Sequence, residues 1–299
     1  VTFGGDVSAV TLTTTSNAYD LVFQEDVTVT NDVTFAAIRD LDIGGANDDV
    51  ATFTGGLDTA TNVTGTVTVA GTINTTNTQM DIGAVTLAAA TILDTGNAGA
   101  GILNVGAVTS GNNALTLDSG STAGATINLT SMVAGQGGLT IRDAGGLATI
   151  GDVGSTNAGT VTITDSTAGV TFSANLDATT LTITDSAASQ AITFADGQDV
   201  DLTTGMTVGA GTAAYNVVIN SSTFDAAGAT TFNNTGTLTL GNAASDVLEF
   251  TGGLTGTAPA VTLSANVQVD GAALSLGSSS KAITLAGTTS ILDTTDGGT

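Results

Sequence analysis

The chain has no cysteine, no histidine and no tryptophan, a single proline, and only three basic residues among 299. Without cysteine there can be no disulfide and no thiolate metal site. Without histidine the commonest zinc ligand and the usual general base near neutral pH are both missing. The basic residues, Arg39, Arg142 and Lys281, lie far apart, so a trypsin-like protease would find three cleavage points. They stand against 27 acidic residues, giving a formal net charge of -24. Nucleic acid and anionic lipid headgroups are repelled by such a surface. The same excess keeps a large surface soluble and attracts divalent cations, with Ca²⁺ the candidate cofactor. No apolar run reaches the ~18 residues of a membrane-spanning helix, so direct membrane insertion is not expected. The opening Val1-Thr2-Phe3 carries no charged and apolar leader, which reads as an already processed segment.

What the chain does have is 41% hydrophobic residues, 40 glycines, and one pattern used throughout. An apolar, polar, apolar triplet recurs at short intervals, as in Val67-Thr68-Val69, Leu115-Thr116-Leu117, Val161-Thr162-Ile163 and Leu238-Thr239-Leu240. Period-2 alternation marks a strand with one face buried, and the β-branched residues filling it suit a pleated surface. Between triplets stand Gly, Asn, Asp, Ser and Ala, the residues of tight corners. No stretch carries a helical period.

Two repeats separate a solenoid from a sandwich, because stacked rungs repeat their sequence. The short one aligns Thr160-Val161-Thr162-Ile163-Thr164-Asp165-Ser166 with Thr180-Leu181-Thr182-Ile183-Thr184-Asp185-Ser186, each followed by a second strand, Val170-Thr171-Phe172 or Ile192-Thr193-Phe194. The long one returns Phe53-Thr54-Gly55-Gly56-Leu57 as Phe250-Thr251-Gly252-Gly253-Leu254, 197 residues later. At that offset Leu41 meets Leu238 and Asp49 meets Asp246; after small length changes Ala18-Tyr19 meets Ala214-Tyr215 and Ile92-Leu93-Asp94-Thr95 meets Ile291-Leu292-Asp293-Thr294. This super-repeat relates 18–95 to 214–294.

The expected fold is all-β without significant helix: one continuous parallel β-solenoid over residues 1–299, a right-handed β-helix of roughly 11 to 14 rungs. Two or three strands per rung fit the sequence equally. At about 4.8 Å per rung the rod would be roughly 50 to 65 Å long, with Val, Ile, Leu and Phe columns inside and Thr columns outside.

Segments such as Val67-Thr68-Val69-Ala70-Gly71-Thr72-Ile73-Asn74 and Phe250-Thr251-Gly252-Gly253-Leu254, in a Cys-free, Lys-poor, Thr-rich chain, resemble the β-strand repeats of filamentous-haemagglutinin-like adhesins and autotransporter passengers. The resemblance covers essentially the whole chain. It implies a right-handed parallel β-helix, export to the cell surface, and an adhesive or matrix role.

Candidate sites are few. Apolar ends without a polar cap point to head-to-tail contact between copies through Val1, Thr2 and Phe3 at one end and Ile291, Leu292 and Asp293 at the other, or to excision from a longer chain. The segment closes on Thr294 to Thr299. Carboxylates gather at Asp40, Asp42, Asp48 and Asp49 and at Asp196, Asp199 and Asp201. Hard oxygen ligands at turns can hold Ca²⁺, although neither group has a calcium-loop spacing and solvated turn carboxylates have the same composition. Asn62, Asn74, Asn128, Asn220 and Asn233 satisfy the N-glycosylation pattern. Gly135-Gln136-Gly137-Gly138 lacks the lysine and following helix of a phosphate loop and reads as a corner.

Three functions follow in order. The first is a non-enzymatic extracellular filament, sheath or surface layer whose main partner is another copy of itself. The second is an adhesin or autotransporter stalk meeting carbohydrate or a host or cell surface. The third is a polysaccharide-active enzyme using Asp196 with Asp199 or Asp201 as acid and base. Scattered cations and 4% aromatics, with no Trp, argue against the third.

Overall fold

The structure, a computed structural model, describes residues 1–133, 135, 137–154, 157–286 and 291–294. Among them are 32 short strands and no helix. Strand pairs with strand in parallel throughout, forming a solenoid of about 12 turns. An antiparallel bridge, Ser278 to Lys281, closes a tight local turn. No helix of the described residues is long and apolar enough to cross a membrane.

Each turn supplies three strands, one to each of three faces, which settles the number the sequence left open. In the turn that starts at Leu176, residues 176–178 lie on the first face, 180–183 on the second, and Ala191–Phe194 on the third. The next turns bring Val200, Phe224 and Leu248 into line with Leu176. The period here is therefore 24 residues per turn.

In-register stacking explains the short repeat. Thr160 lies opposite Thr180 and Ile163 opposite Ile183, so the two copies sit directly on each other. Val170 and Phe172 lie beside Ile192 and Phe194 in the same way. Within each triplet the apolar residues are buried and the threonine between them faces out. Like side chain over like fills the interior evenly, and removing apolar surface from water supplies about 25 cal/mol per Å². The Phe172 and Phe194 rings stack at 5.1 Å with planes 4° apart, and Phe224 meets Phe194 edge-on at 5.8 Å. Such pairs add about 0.5–1.5 kcal/mol beyond their burial.

The long repeat has a local structural basis. Asp49 turns its carboxylate inward to accept the amides of Gly45 and Ala46 at 2.5 and 2.8 Å. Asp246 accepts those of Asn242 and Ala243, both at 2.9 Å. The glycine before each pair, Gly44 or Gly241, has positive φ. At the next corner a Cβ on Gly55 would lie 2.2 Å from the Asp32 amide nitrogen, and one on Gly252 would lie 2.3 Å from the Gly228 carbonyl carbon. Close approach of one turn to the next therefore requires the Gly-Gly pair. The copies nevertheless occupy different faces. Leu41 belongs to the column of Leu21 and Val67 on the first face, whereas Leu238 belongs to the column of Val217 and Val261 on the third. The 197-residue offset falls one face short of a whole number of turns, so the repeated unit is a strand and corner that any face accepts.

The outermost described strands pair on one edge only. Thr2–Phe3 pairs with Leu21–Phe23, and Ile291–Asp293 with Asn266–Gln268.

Candidate functional site

The carboxylates close together in sequence do not converge in space. Asp40 accepts the Thr66 amide at 2.8 Å through Oδ1 and Arg39 Nε at 3.3 Å through Oδ2. Asp42 points outward on the first face, between Val22 and Thr68. Asp48 is exposed, while Asp49 is spent on its own turn. In the second group Asp196 sits on an exposed corner, Asp199 accepts the Thr223 hydroxyl at 2.6 Å, and Asp201 faces out two residues further along the strand. Among the described residues, no three His, Cys, Asp or Glu side chains come together around a point where a metal ion could sit.

What the fold assembles instead is a column of acids from successive turns. Asp177, Asp201, Asp225 and Glu249 stand opposite one another on the first face. Shallow clefts beside the column are lined by Asp152, Asp177, Asp199 and Asp201, and one turn on by Asp199, Asp201, Asp225 and Glu249. Partial burial pushes the Asp201 carboxyl above its ordinary range, helped by the charges of Asp177 and Asp225. Burial does the same to Asp225, with Glu249 adding to it. Like charges directly opposite in a sheet oppose folding. The signal for this column lay in the sequence as a 24-residue spacing, which becomes visible only when the turn length is known.

A second acidic line follows the corner after the second face. Asp94, Asp118 and Asp143 stack, and Asp165 and Asp185 occupy the same corner in the next two turns. Arg142 reaches across two turns, donating to Asp94 at 3.0 Å and closely to Asp118. Asp143, adjacent in sequence, keeps a buried carboxylate oxygen without a hydrogen-bond partner. Burial, then the charges of Asp118 and Asp165, raises its carboxyl. Burial also acts on Asp185, but hydrogen bonds from the Thr212 hydroxyl and amide and the Ser186 amide outweigh it and hold that carboxyl low. Nearby, the buried Tyr215 hydroxyl donates to the Gly209 carbonyl at 2.6 Å. Its phenol is raised by burial and by Asp185.

The other cations are also used between turns. Arg39 pairs with Asp20 and Asp40, and its hydrogen bond to Asp20 lowers that carboxyl. Lys281 donates to the Thr235 carbonyl at 3.2 Å. The three basic residues thus tie successive turns together at separate points on the rod, rather than meeting in a cleft.

The remaining sequence candidates are spread over the rod. Asn62 donates to the Thr61 hydroxyl. Asn74 faces out between Thr52 and Asp94. Asn128 donates to Asn104 at 2.8 Å, and Asn104 to Asp81 at 2.6 Å, forming a side-chain ladder across three turns of the third face. Asn220 is half-buried and Asn233 exposed, each directly after a third-face or second-face strand. At the ends Val1 is 64% exposed while Phe3 stacks on Phe23 at 5.2 Å; Ile291 and Leu292 are 47% and 44% exposed, and the Asp293 carbonyl accepts the Val269 amide. In the loop read as a corner, the Gly137 amide donates to the Gly135 carbonyl, and Gln136 lies outside the described residues, as do Thr295 to Thr299.

Compared with known proteins, the chain matches no family model, and no significant match appears among curated proteins or solved structures.

Proposed function

We propose that this chain is an extracellular structural protein, a rigid β-solenoid rod that extends by stacking end to end into a filament, sheath or surface layer. The observation that carries the proposal is the translational symmetry of the fold. Along the first face, each described turn offers the next the same parallel edge, from the pairing of Thr2–Phe3 with Leu21–Phe23 to that of Asn266–Gln268 with Ile291–Asp293. A second copy could therefore continue each column with the same backbone bonds and side-chain matches. Such a contact is heterologous and does not close, which makes fibres. The resemblance to filamentous-haemagglutinin-like adhesins and autotransporter passengers supports the cell-surface setting, and the acidic, Cys-free composition suits it. Divalent cations such as Ca²⁺ fit this reading as counter-charges to the acidic columns.

Electron microscopy of the purified chain tests it. The expected particles are rods roughly 60 Å long, from about 4.8 Å per turn, that lengthen in whole multiples as concentration rises. Single rods of constant length at high concentration would remove the polymer and favour a stalk.

A further inference from the structure

Two corners of the rod set an aspartate directly before a glycine in the same surroundings. Asp196-Gly197 connects a third-face strand to a first-face strand, and Asp270-Gly271 connects a first-face strand to a second-face strand. All four residues are exposed. Both glycines have positive φ, 75° and 63°, a conformation that calls for glycine at a tight corner. Most corner glycines press against the neighbouring turn, but a Cβ on Gly197 or Gly271 would meet nothing within 4 Å. Among the described residues neither glycine amide donates a hydrogen bond. Every other described aspartate precedes a residue with a side chain, and many of the amides that follow are committed to the neighbouring turn. The Val33 amide donates to the Gly56 carbonyl at 3.1 Å, Leu41 to Thr66 at 2.9 Å, Ser119 to Asp143 at 3.0 Å and Val247 to Ser222 at 3.0 Å. A third pair, Asp296-Gly297, lies outside the described residues.

We infer that Asp196 and Asp270 are sites of spontaneous aspartate isomerisation, at which the main chain passes from an α- to a β-linkage. The Gly197 or Gly271 nitrogen attacks Cγ of the aspartate before it, the carboxyl OH leaves with the amide proton as water, and a five-membered succinimide closes. Water then adds back. Opening at Cγ restores aspartate, whereas opening at the α-carbonyl carbon leaves isoaspartate, with the chain running through Cγ and a free α-carboxylate. Attack within one small ring has the advantage of proximity. What normally opposes it is absent at these corners, where the attacking residue has no side chain, no hydrogen bond to break at its nitrogen, and open space beside it. The added main-chain atom falls at a corner rather than in a ladder. Corners already absorb differences in turn length, since turns of 20 and 25 residues, Val161 to Leu181 and Leu181 to Met206, stack in the same column. The modified rod therefore keeps its strand pairing and its net charge. None of this depends on how rods assemble.

Prolonged incubation of the whole folded chain, followed by peptide mapping, tests the inference. Isoaspartate has the mass of aspartate, but it resists a protease that cleaves before aspartate and accepts a methyl group from an isoaspartyl methyltransferase. Both signals should be at least about 10-fold stronger at Asp196 and Asp270 than at Asp32 or Asp118, whose following amides are hydrogen-bonded. D196E keeps the charge but would need a larger, slower ring, so it should silence the first site and leave the second unchanged; D270E should do the reverse. Aged rods should unfold at the same urea midpoint as fresh ones. A folded chain that forms no isoaspartate at either site, while the urea-unfolded chain does, would overturn the inference, because the fold would then protect these corners. Equal signal at Asp32 and Asp118 would overturn it too. So would a urea midpoint that falls in step with the signal, since the corner would not have absorbed the change.

Discussion

Replacing Asp246 with alanine removes one carboxylate that accepts two backbone amides, those of Asn242 and Ala243, at 2.9 Å each. A hydrogen bond to a charged acceptor contributes about 1.5–3 kcal/mol net, and a buried amide left without a partner loses its solvation as well. The turn is half-open to water, which recovers part of that loss, so D246A should cost about 2–4 kcal/mol. With a urea slope of about 3 kcal/mol/M, a change near 3 kcal/mol moves the unfolding midpoint by about 1 M. Asp49, whose carboxylate makes the same bonds one repeat earlier, is 8% exposed against 3% for Asp246, so D49A should cost somewhat less. The two turns lie about 40 Å apart along the rod, so the double variant should show the sum of the single losses to within about 0.5 kcal/mol. D246N keeps one acceptor oxygen without its charge and should fall between D246A and wild type. Amide hydrogen exchange supplies the local readout, with Asn242 and Ala243 protected in the wild type and exposed in D246A. D48A, an exposed neighbour, should stay within about 0.5 kcal/mol. If D246A unfolded at the same midpoint as D48A with both amides still protected, the reasoning about this corner would be refuted.

Four other outcomes are expected. Gly252→Ala should destabilise by about 2–3 kcal/mol through overpacking, since its Cβ would lie 2.3 Å from the Gly228 carbonyl carbon; a melting temperature equal to wild type would show that the turn can move aside. Phe194→Ala should lose about 3–5 kcal/mol by urea unfolding, because the ring is buried between Phe172 and Phe224; a loss under about 1 kcal/mol would mean that the interior collapses around the gap. Asp143, Asp201 and Asp225 have folded pKa values above the unfolded value of 3.8, so the native state takes up protons first and stability should rise as pH falls from neutral toward that value. Asp20 and Asp185 act oppositely and lose their contribution below 3.8, which places the stability maximum on the acid side of neutral; a melting temperature that drops between pH 7 and pH 5 would contradict this. Millimolar Ca²⁺ should raise the melting temperature by about 2–4 °C, corresponding to about 1 kcal/mol, and a chelator should reverse it; an equal rise with NaCl of matched ionic strength would leave calcium no role beyond screening.

The sequence by itself determined the local architecture. Triplets such as Val161-Thr162-Ile163 fixed which side chains turn inward, because a strand alternates its faces residue by residue. The near-identity of 160–166 and 180–186 established stacking, and the structure places those segments in contact residue for residue. Only the tertiary structure decided how the faces are composed. Corner length varies from turn to turn, so the third-face identity of Leu238 and the first-face identity of Leu41 cannot be counted from either segment alone. The acid clusters illustrate the same point in reverse. Asp48 and Asp49 are neighbours in the chain yet one is exposed and the other committed to its own turn, whereas Asp177, Asp201, Asp225 and Glu249 are far apart in sequence and meet in one column. A period-2 pattern specifies inside against outside, a property of the single strand. Which outward residues become neighbours is set by the length of each turn and by the hydrogen bonds between turns, and it is that arrangement that gathers Asp177, Asp201, Asp225 and Glu249 into one line along the rod.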